Sequence, residues 1–299
     1  MQRENNIQCI IPDEIFERVV SDFSKFSLSK NLKDIKVAAK DHLNIEKSFK
    51  RAEILKRYTS LEGKKVLEVG SGCGTNMLAW MKNFGTDHYG VEPGSDGFES
   101  GYSISLDILR ANNIDPSRVI NCSGEKLPFP DCSFDIVYSA NVLEHTENPF
   151  SVLYESIRVL KKGGVLHFEM PNFLSYFEGH YMVLQPPIIW KWILPLWVKV
   201  IFRRDPAFAK TLKTEINPLW CKRNIKKLND QFPIKLLSLG EDIFRESLRN
   251  SYKFETEIVS SKLKNIMKII NFFNRNDLIS NLLISINGYY PIYLTILKK

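Results

Sequence analysis

A chain of 299 residues, 44% apolar and 25% charged, has the composition of an ordinary globular protein and the length for one sizeable α/β domain with additions or two small ones. Its net charge of +7 suits an anionic partner such as a phosphorylated substrate, nucleic acid or acidic lipid, without selecting one. Five scattered cysteines (Cys9, Cys73, Cys122, Cys132, Cys221) with no C-x-x-C pair argue against a paired-cysteine zinc site and a disulfide scaffold, and predict reduced thiols in a cytosol with no bound metal.

The first twenty residues contain no long apolar run, so no signal peptide is expected. Pro12-Asp13 opens a stretch with Ile15, Phe16, Val19, Val20 and Phe23 near helical spacing. A second run carries Phe49, Ala52, Ile54 and Leu55 near one face and stops at Gly63. Residues 12–58 therefore read as helical, and 1–60 as an N-terminal helical extension.

From residue 65 the texture changes. Strands are predicted at 65–69, 87–91, 118–121, 134–138 and 164–170, with helices near 75–83, 99–112 and 148–160. Lys161-Lys162-Gly163-Gly164 reads as the basic, glycine-stopped end of the third of these helices. Strand–helix alternation of this kind builds a parallel sheet covered by helices on both faces.

Past Pro171 the alternation lapses. Residues 181–204 hold three tryptophans, but Gln185, Pro186-Pro187, Lys191 and Lys199 interrupt the apolar runs, so no spanning helix is expected. Were 188–204 helical, Lys191, Lys199 and Arg203 would share a face away from Trp190, Trp197, Ile201 and Phe202, with a kink at Pro195. That pattern suits a lid over a site, or an interfacial helix on an anionic membrane. A helix near 218–230, a strand at 234–239, helices at 241–251 and 262–286 and a last strand in "YYPIYLTILKK" complete the chain.

The chemistry concentrates in "VLEVGSGCGTN", 66–76, where Gly70, Gly72 and Gly74 follow a strand and Glu68 precedes them. A tight glycine turn lets the next helix present its N-terminal amides to a ligand. The dinucleotide spacing G-x-G-x-x-G fails, because Thr75 stands where the third glycine belongs. A carboxylate beside the loop repels a pyrophosphate and suits a cationic nucleoside without phosphates. Glu92 ends the next strand, where an acid can accept hydrogen bonds from both ribose hydroxyls.

With "CSGEKLPFPDCSFDIVYSANVLEHTENP" (122–149) and "SVLYESIRVLKKGGVLHFEMPN" (151–172), the loop resembles the class I S-adenosylmethionine-dependent methyltransferases, in the branch of quinone-biosynthesis and tailoring enzymes. The likeness covers about 61–175 in order. It implies a doubly wound, seven-stranded Rossmann-like sheet with the last strand antiparallel. The domain would run from 61 to 299: a cofactor core at 61–175, a lid or substrate insertion at 176–233 and a C-terminal completion of the sheet at 234–299.

By the same resemblance S-adenosyl-L-methionine is the cofactor. Glu68 steers the loop and reaches the methionine ammonium, Gly70, Gly72 and Gly74 lie beneath methionine and ribose, and Glu92 takes the ribose. Ser123 stands where many relatives have Asp in the adenine-holding segment, with Glu125 as a substitute, and Asn141 lines the methyl-transfer cleft.

Methyl transfer from a sulfonium needs alignment, exclusion of water and sometimes a base. His145 is the first base candidate and His180 the second; each also has a purely structural reading. His42 and His88 read as surface residues and His167 as packed in a strand. The exit "SANVLEH" is not the N-P-P-[YF] run of enzymes that methylate planar nitrogens, so a small-molecule, glycan or lipid-linked acceptor is expected, with O-methylation favoured. A nucleic-acid acceptor ranks lower, since the basic residues are dispersed. A non-catalytic cofactor-binding relative and, after it, a nicotinamide-dependent oxidoreductase are the competing readings. The expected location is the cytoplasm, with peripheral membrane contact through 188–204.

Overall fold

In the computed structural model, which describes residues 9–25, 32–94, 99–181, 183–185, 193–249 and 276–299, the strand signals become one seven-stranded sheet. Its members are β1 (Lys65–Val69), β2 (Asp87–Val91), β3 (Val119–Ile120), β4 (Phe134–Ala140), β5 (Leu160–Met170), β8 (Ile234–Ser238) and β9 (Ile292–Lys298), in the order β3-β2-β1-β4-β5-β9-β8. β9 runs antiparallel to both neighbours, β5 and β8, so the chain's last strand lies one place in from the edge. A separate two-stranded hairpin pairs β6 (Phe177–Glu178) with β7 (Val183–Leu184).

The period of two along the strands sorts the core. Val66, Ile136, Tyr138 and Val165 face α3 (Ile45–Leu55) and α4 (Thr75–Phe84), packing on Ala52, Leu55 and Trp80. Leu67, Val69, Val137, Leu166 and Phe168 face the other way, onto α6 (Pro149–Val159) and α9 (Pro218–Asn229) through Leu153, Ile157 and Ile225. α1 (Asp13–Lys25) and α2 (Leu32–His42) bury Ile15, Val19 and Ala39 against Ile104 and Ile108 of α5 (Glu99–Ala111) and against Cys73 of the glycine loop. The remaining helices are α7 (Ile193–Ile201), α8 (Ala207–Thr211), α10 (Glu241–Arg249) and α11 (Asn276–Ser285). Residues 250–275, including the first part of the helix expected at 262–286, lie outside the described residues.

Two expectations change. Lys161 and Lys162 belong to β5, not to a helix end: Leu160 already pairs with Phe134, Lys161 Nζ donates to Asp135 Oδ1 at 3.0 Å, and the bend falls at Gly163 with φ of 75°. Pro195, expected to kink a helix over 188–204, stands third in α7, and residues 186–192 before it lie outside the described residues. His88, expected at the surface, is fully buried beside Trp80, with ring centroids 5.6 Å apart, because its strand position turns it onto the α4 face. His167 is packed as expected, with Nδ1 2.9 Å from Thr295 Oγ1.

On α7, Leu194 and Val198 are buried in the core, while Leu196, Val200 and Ile201 face outward; Trp190 and Lys191 lie outside the described residues. Among the described residues, no helix is long and apolar enough to cross a membrane.

Candidate active site

The strand order reverses between β1 and β4, and a crevice opens at such a point beyond the carboxyl ends of the strands. Two turns flank it. After β1 the loop passes through Gly70, Gly72 and Gly74 at φ of 71°, 51° and 76°, all in the left-handed region. A Cβ on Gly70 would lie 2.2 Å from Val142 Cγ2, so this glycine lets the turn after β4 pack directly on the loop. A Cβ on Gly72 would meet nothing within 4 Å: here the bare main chain borders open space. Gly74 caps α4 without a side-chain hydrogen bond, so the helix's first amides have no side-chain cap.

Glu92 is buried at the end of β2, and its Oε2 accepts the Gly72 N–H at 2.9 Å, holding the loop from the neighbouring strand. Glu68 is buried on the α3/α4 face, where its Oε1 accepts from Asn76 Nδ2 at 2.6 Å in the first turn of α4. Its Oε2 stands 3.7 Å from His88 Nε2. Burial raises Glu68 to about 8, overriding the Asn76 bond and the Arg51 charge, while burial and Arg118 depress His88 to about 3. Near neutral pH this is a protonated acid beside a neutral imidazole.

The 122–125 segment runs alongside. A Cβ on Gly124 would lie 2.5 Å from Val69 Cγ1, so its main chain presses on the end of β1. Ser123 Oγ stands 3.3 Å from Glu125 Oε2, and Glu125 Oε1 accepts the Asn148 N–H at 2.8 Å, fixing the entry to α6. Asn141, at φ of 56°, donates its N–H to Glu169 O at 2.9 Å and is exposed at the β4 exit.

Beyond it, a 3₁₀ turn over Leu143–His145 carries Glu144 and His145, and the β6–β7 hairpin carries Glu178 and His180. The two histidine rings meet edge to face at 5.2 Å, and Phe208 of α8 lies 5.7 Å from one and 5.5 Å from the other. The hairpin is pinned to its cover by Tyr181, whose hydroxyl donates to Asp205 O at 2.9 Å and accepts the Ala209 N–H at 3.0 Å. His180 Nδ1 lies 2.7 Å from Glu178 Oε1, and its Nε2 lies 3.5 Å from Glu144 Oε1. Burial would depress His180, but the two flanking carboxylates outweigh it and raise it to about 10; His145, dominated by burial, is lowered.

The sequence reading treated His145 and His180 as alternatives, and the structure makes them neighbours. It missed Glu144 and Glu178, though "LEH" and "EGH" each set an acid next to or two places before the histidine in question. It also missed Phe208 and Tyr181, which no motif marks.

Residues 67–168 match the family described as a methyltransferase domain. An uncharacterized methyltransferase from Mycobacterium sp. (strain JLS) is 32% identical over 126 residues, 42% of this chain and 46% of the relative. One from Mycobacterium tuberculosis (strain ATCC 25177 / H37Ra) is 34% identical over 122 residues, 41% of this chain and 45% of the relative. The match thus spans just under half the length of these curated relatives. Among solved structures, phosphoethanolamine N-methyltransferase 2 of Haemonchus contortus in complex with S-adenosyl-L-methionine aligns over 93% of this chain and 60% of its own, with a TM-score of 0.54 at 16% identity, a likeness of fold.

Proposed function

We infer that this chain, whose residues 67–168 form a class I S-adenosylmethionine-dependent methyltransferase domain, transfers the methyl group of S-adenosyl-L-methionine to a hydroxyl of a small-molecule, glycan or lipid-linked acceptor. One observation carries the cofactor part of this reading. The glycine loop borders open space at Gly72 while Glu92 holds that same residue's N–H, a cradle of main chain that any side chain at Gly72 would fill.

The residues present fit the group. Gly70 to Gly74 would lie beneath its amino-acid tail and ribose, the uncapped first turn of α4 would meet the tail carboxylate, and Glu92 would take the ribose hydroxyls. Glu68 is proposed to act on the tail from below the loop, through Asn76. Ser123 and Glu125 border the adenine end, and Asn141 the transfer end. When bound, the sulfonium supplies an activated methyl group and a neutral leaving group. What remains for the chain is to hold the acceptor in line, exclude water and deal with the hydroxyl proton. Of the two histidines beneath Phe208, His145, lowered by burial, would take that proton, and His180, held by Glu178 and Glu144, would stand beside it.

The reading extends to peripheral contact with an anionic membrane in the cytoplasm, supported by the outward Leu196, Val200 and Ile201 beside Lys199 and Arg203 on and after α7.

Calorimetric titration with S-adenosylmethionine, S-adenosylhomocysteine and NADH tests the core claim. The two sulfur compounds are expected to bind and NADH not to. Glu92→Ala should weaken them by about ten- to a hundredfold, the worth of one or two charge-assisted hydrogen bonds. A Glu92→Ala protein that bound like the parent would remove the proposed cofactor geometry. Labelled methyl groups traced into fractionated cell extract would then reveal the acceptor.

A further inference from the structure

We propose that Glu144, His145 and His180 bind a divalent transition-metal cation, and that this cation receives the hydroxyl of the methyl acceptor. The second clause rests on the methyltransferase reading above; the first does not.

The three residues each offer a ligand atom, all within 4.8 Å of one another. Glu144 Oε1 lies 3.8 Å from His145 Nε2 and 3.5 Å from His180 Nε2. Those separations are long for direct hydrogen bonds. They are close to the ligand–ligand edge of about 3.0–3.5 Å that follows from metal–ligand bonds of about 2.1 Å. The three atoms thus lie near the spacing an ion would impose, and a small closure would seat one between them.

Glu144 gives the second, independent sign. Its side chain is fully buried, and neither carboxylate oxygen has a hydrogen bond. An ionised carboxylate in that position needs a cation beside it; in the absence of metal that is protonated His180, 3.5 Å away, and a bound ion would displace the ring's proton and bridge the two groups.

The support around the ligands is of the kind metal sites use. Glu178 holds His180 through Nδ1 at 2.7 Å, which leaves Nε2 directed at Glu144, and its other oxygen accepts the Tyr181 N–H at 2.6 Å. Glu144 and His145 are neighbours in one 3₁₀ turn, whose Glu144 carbonyl is tied to the Lys213 N–H at 2.9 Å. Both rings pack on Phe208, which limits access of water from that side.

Two imidazoles and one carboxylate favour zinc, manganese or a similar ion over magnesium or calcium, whose preferred shells are all oxygen. Three protein ligands leave positions open for substrate. A hydroxyl bound there is acidified: its O–H bond breaks, the electron pair stays on the metal-bound oxygen and the proton passes to solvent. In this arrangement the two histidines act by holding the ion. The acceptor is then a hydroxylated compound whose oxygen is reachable from the β4 exit.

The test uses the full chain, stripped with a chelator and titrated by calorimetry with zinc, manganese and magnesium chlorides, with S-adenosylmethionine titrated in parallel. One zinc or manganese ion per chain is expected, magnesium binding at least about tenfold more weakly. Cobalt(II) should give the visible absorption of a nitrogen/oxygen-bound ion. Glu144→Gln and His180→Ala should each lose ion binding by at least about tenfold, with S-adenosylmethionine binding retained. Should either misfold by circular dichroism, His145→Ala, at a partly exposed position, supplies the same comparison. A parent that binds S-adenosylmethionine but no transition metal overturns the site and leaves the methyltransferase reading standing. A parent that binds the ion but not S-adenosylmethionine removes the acceptor role and keeps the site. Equal ion binding by parent and variants places the ion elsewhere and also overturns the proposal.

Discussion

Glu68 and His88 stand 3.7 Å apart as two neutral groups, and the pH dependence of stability should reveal it. Below a pH of about 4.5 Glu68 is protonated whether the chain is folded or not. Between there and about 8 the unfolded chain gives up that proton while the folded one keeps it, so the folded state binds more protons and loses stability as pH rises. His88, depressed to about 3, has the opposite slope and acts only below its ordinary value of 6.5; from there to 8 Glu68 shares the fall with His180, raised to about 10, and comparison with a Glu68 variant isolates the Glu68 part. In the ligand-free protein, Glu68→Gln should remove a fall of up to about 1.4 kcal/mol per pH unit in that window. Urea denaturation at several pH values measures it, and parallel curves for parent and variant would mean that Arg51 keeps Glu68 ionised. That an acid precedes the glycines was plain in the sequence; that it is buried against Asn76 and His88 was not, because strand alternation tells which side of the sheet a residue faces and not what covers that side.

The glycine loop shows how one element can serve two requirements at adjacent positions. At Gly70 the absent side chain makes room for Val142, a packing requirement; at Gly72 it leaves open space, which the proposed cofactor would use. Both have positive φ, so alanine costs roughly 1–2 kcal/mol at either position from backbone strain. Gly70→Ala should lose a further 1–3 kcal/mol or so, from overpacking against Val142. Gly72→Ala should stay within the strain cost yet weaken S-adenosylmethionine binding by about tenfold or more, since its methyl group enters the cradle. Chemical denaturation and calorimetry on the two variants separate the effects, and a Gly72→Ala protein with unaltered affinity would place the ligand elsewhere. The helices and strands of 65–170 were mostly legible because their apolar periods are strong. The misreading at Lys161-Lys162 has a physical cause: basic residues before glycine end helices, but they equally line the start of a strand whose first residue, Leu160, is already paired.

Across the whole molecule, the sheet leaves α7 with one side in the core and another outward. Leu196, Val200 and Ile201 are more than half exposed, and Lys199 and Arg203 stand beside them. The protein is therefore expected to sediment with anionic liposomes at low salt. At about 1 kcal/mol per basic residue near such a surface, Lys199→Glu with Arg203→Glu should reduce the bound fraction by about tenfold or more, and no sedimentation of the parent would remove the membrane proposal. The fold class could be read from about 61–175, and the glycine loop and Glu92 from 66–92, because contacts local in sequence and periodic along it build them. The place of β9 between β5 and β8, the burial of His88 and the meeting of Glu144, His145, Glu178 and His180 could not. Each depends on segments distant in the chain packing against one another, and no local spacing records which of the available surfaces a strand or hairpin will cover.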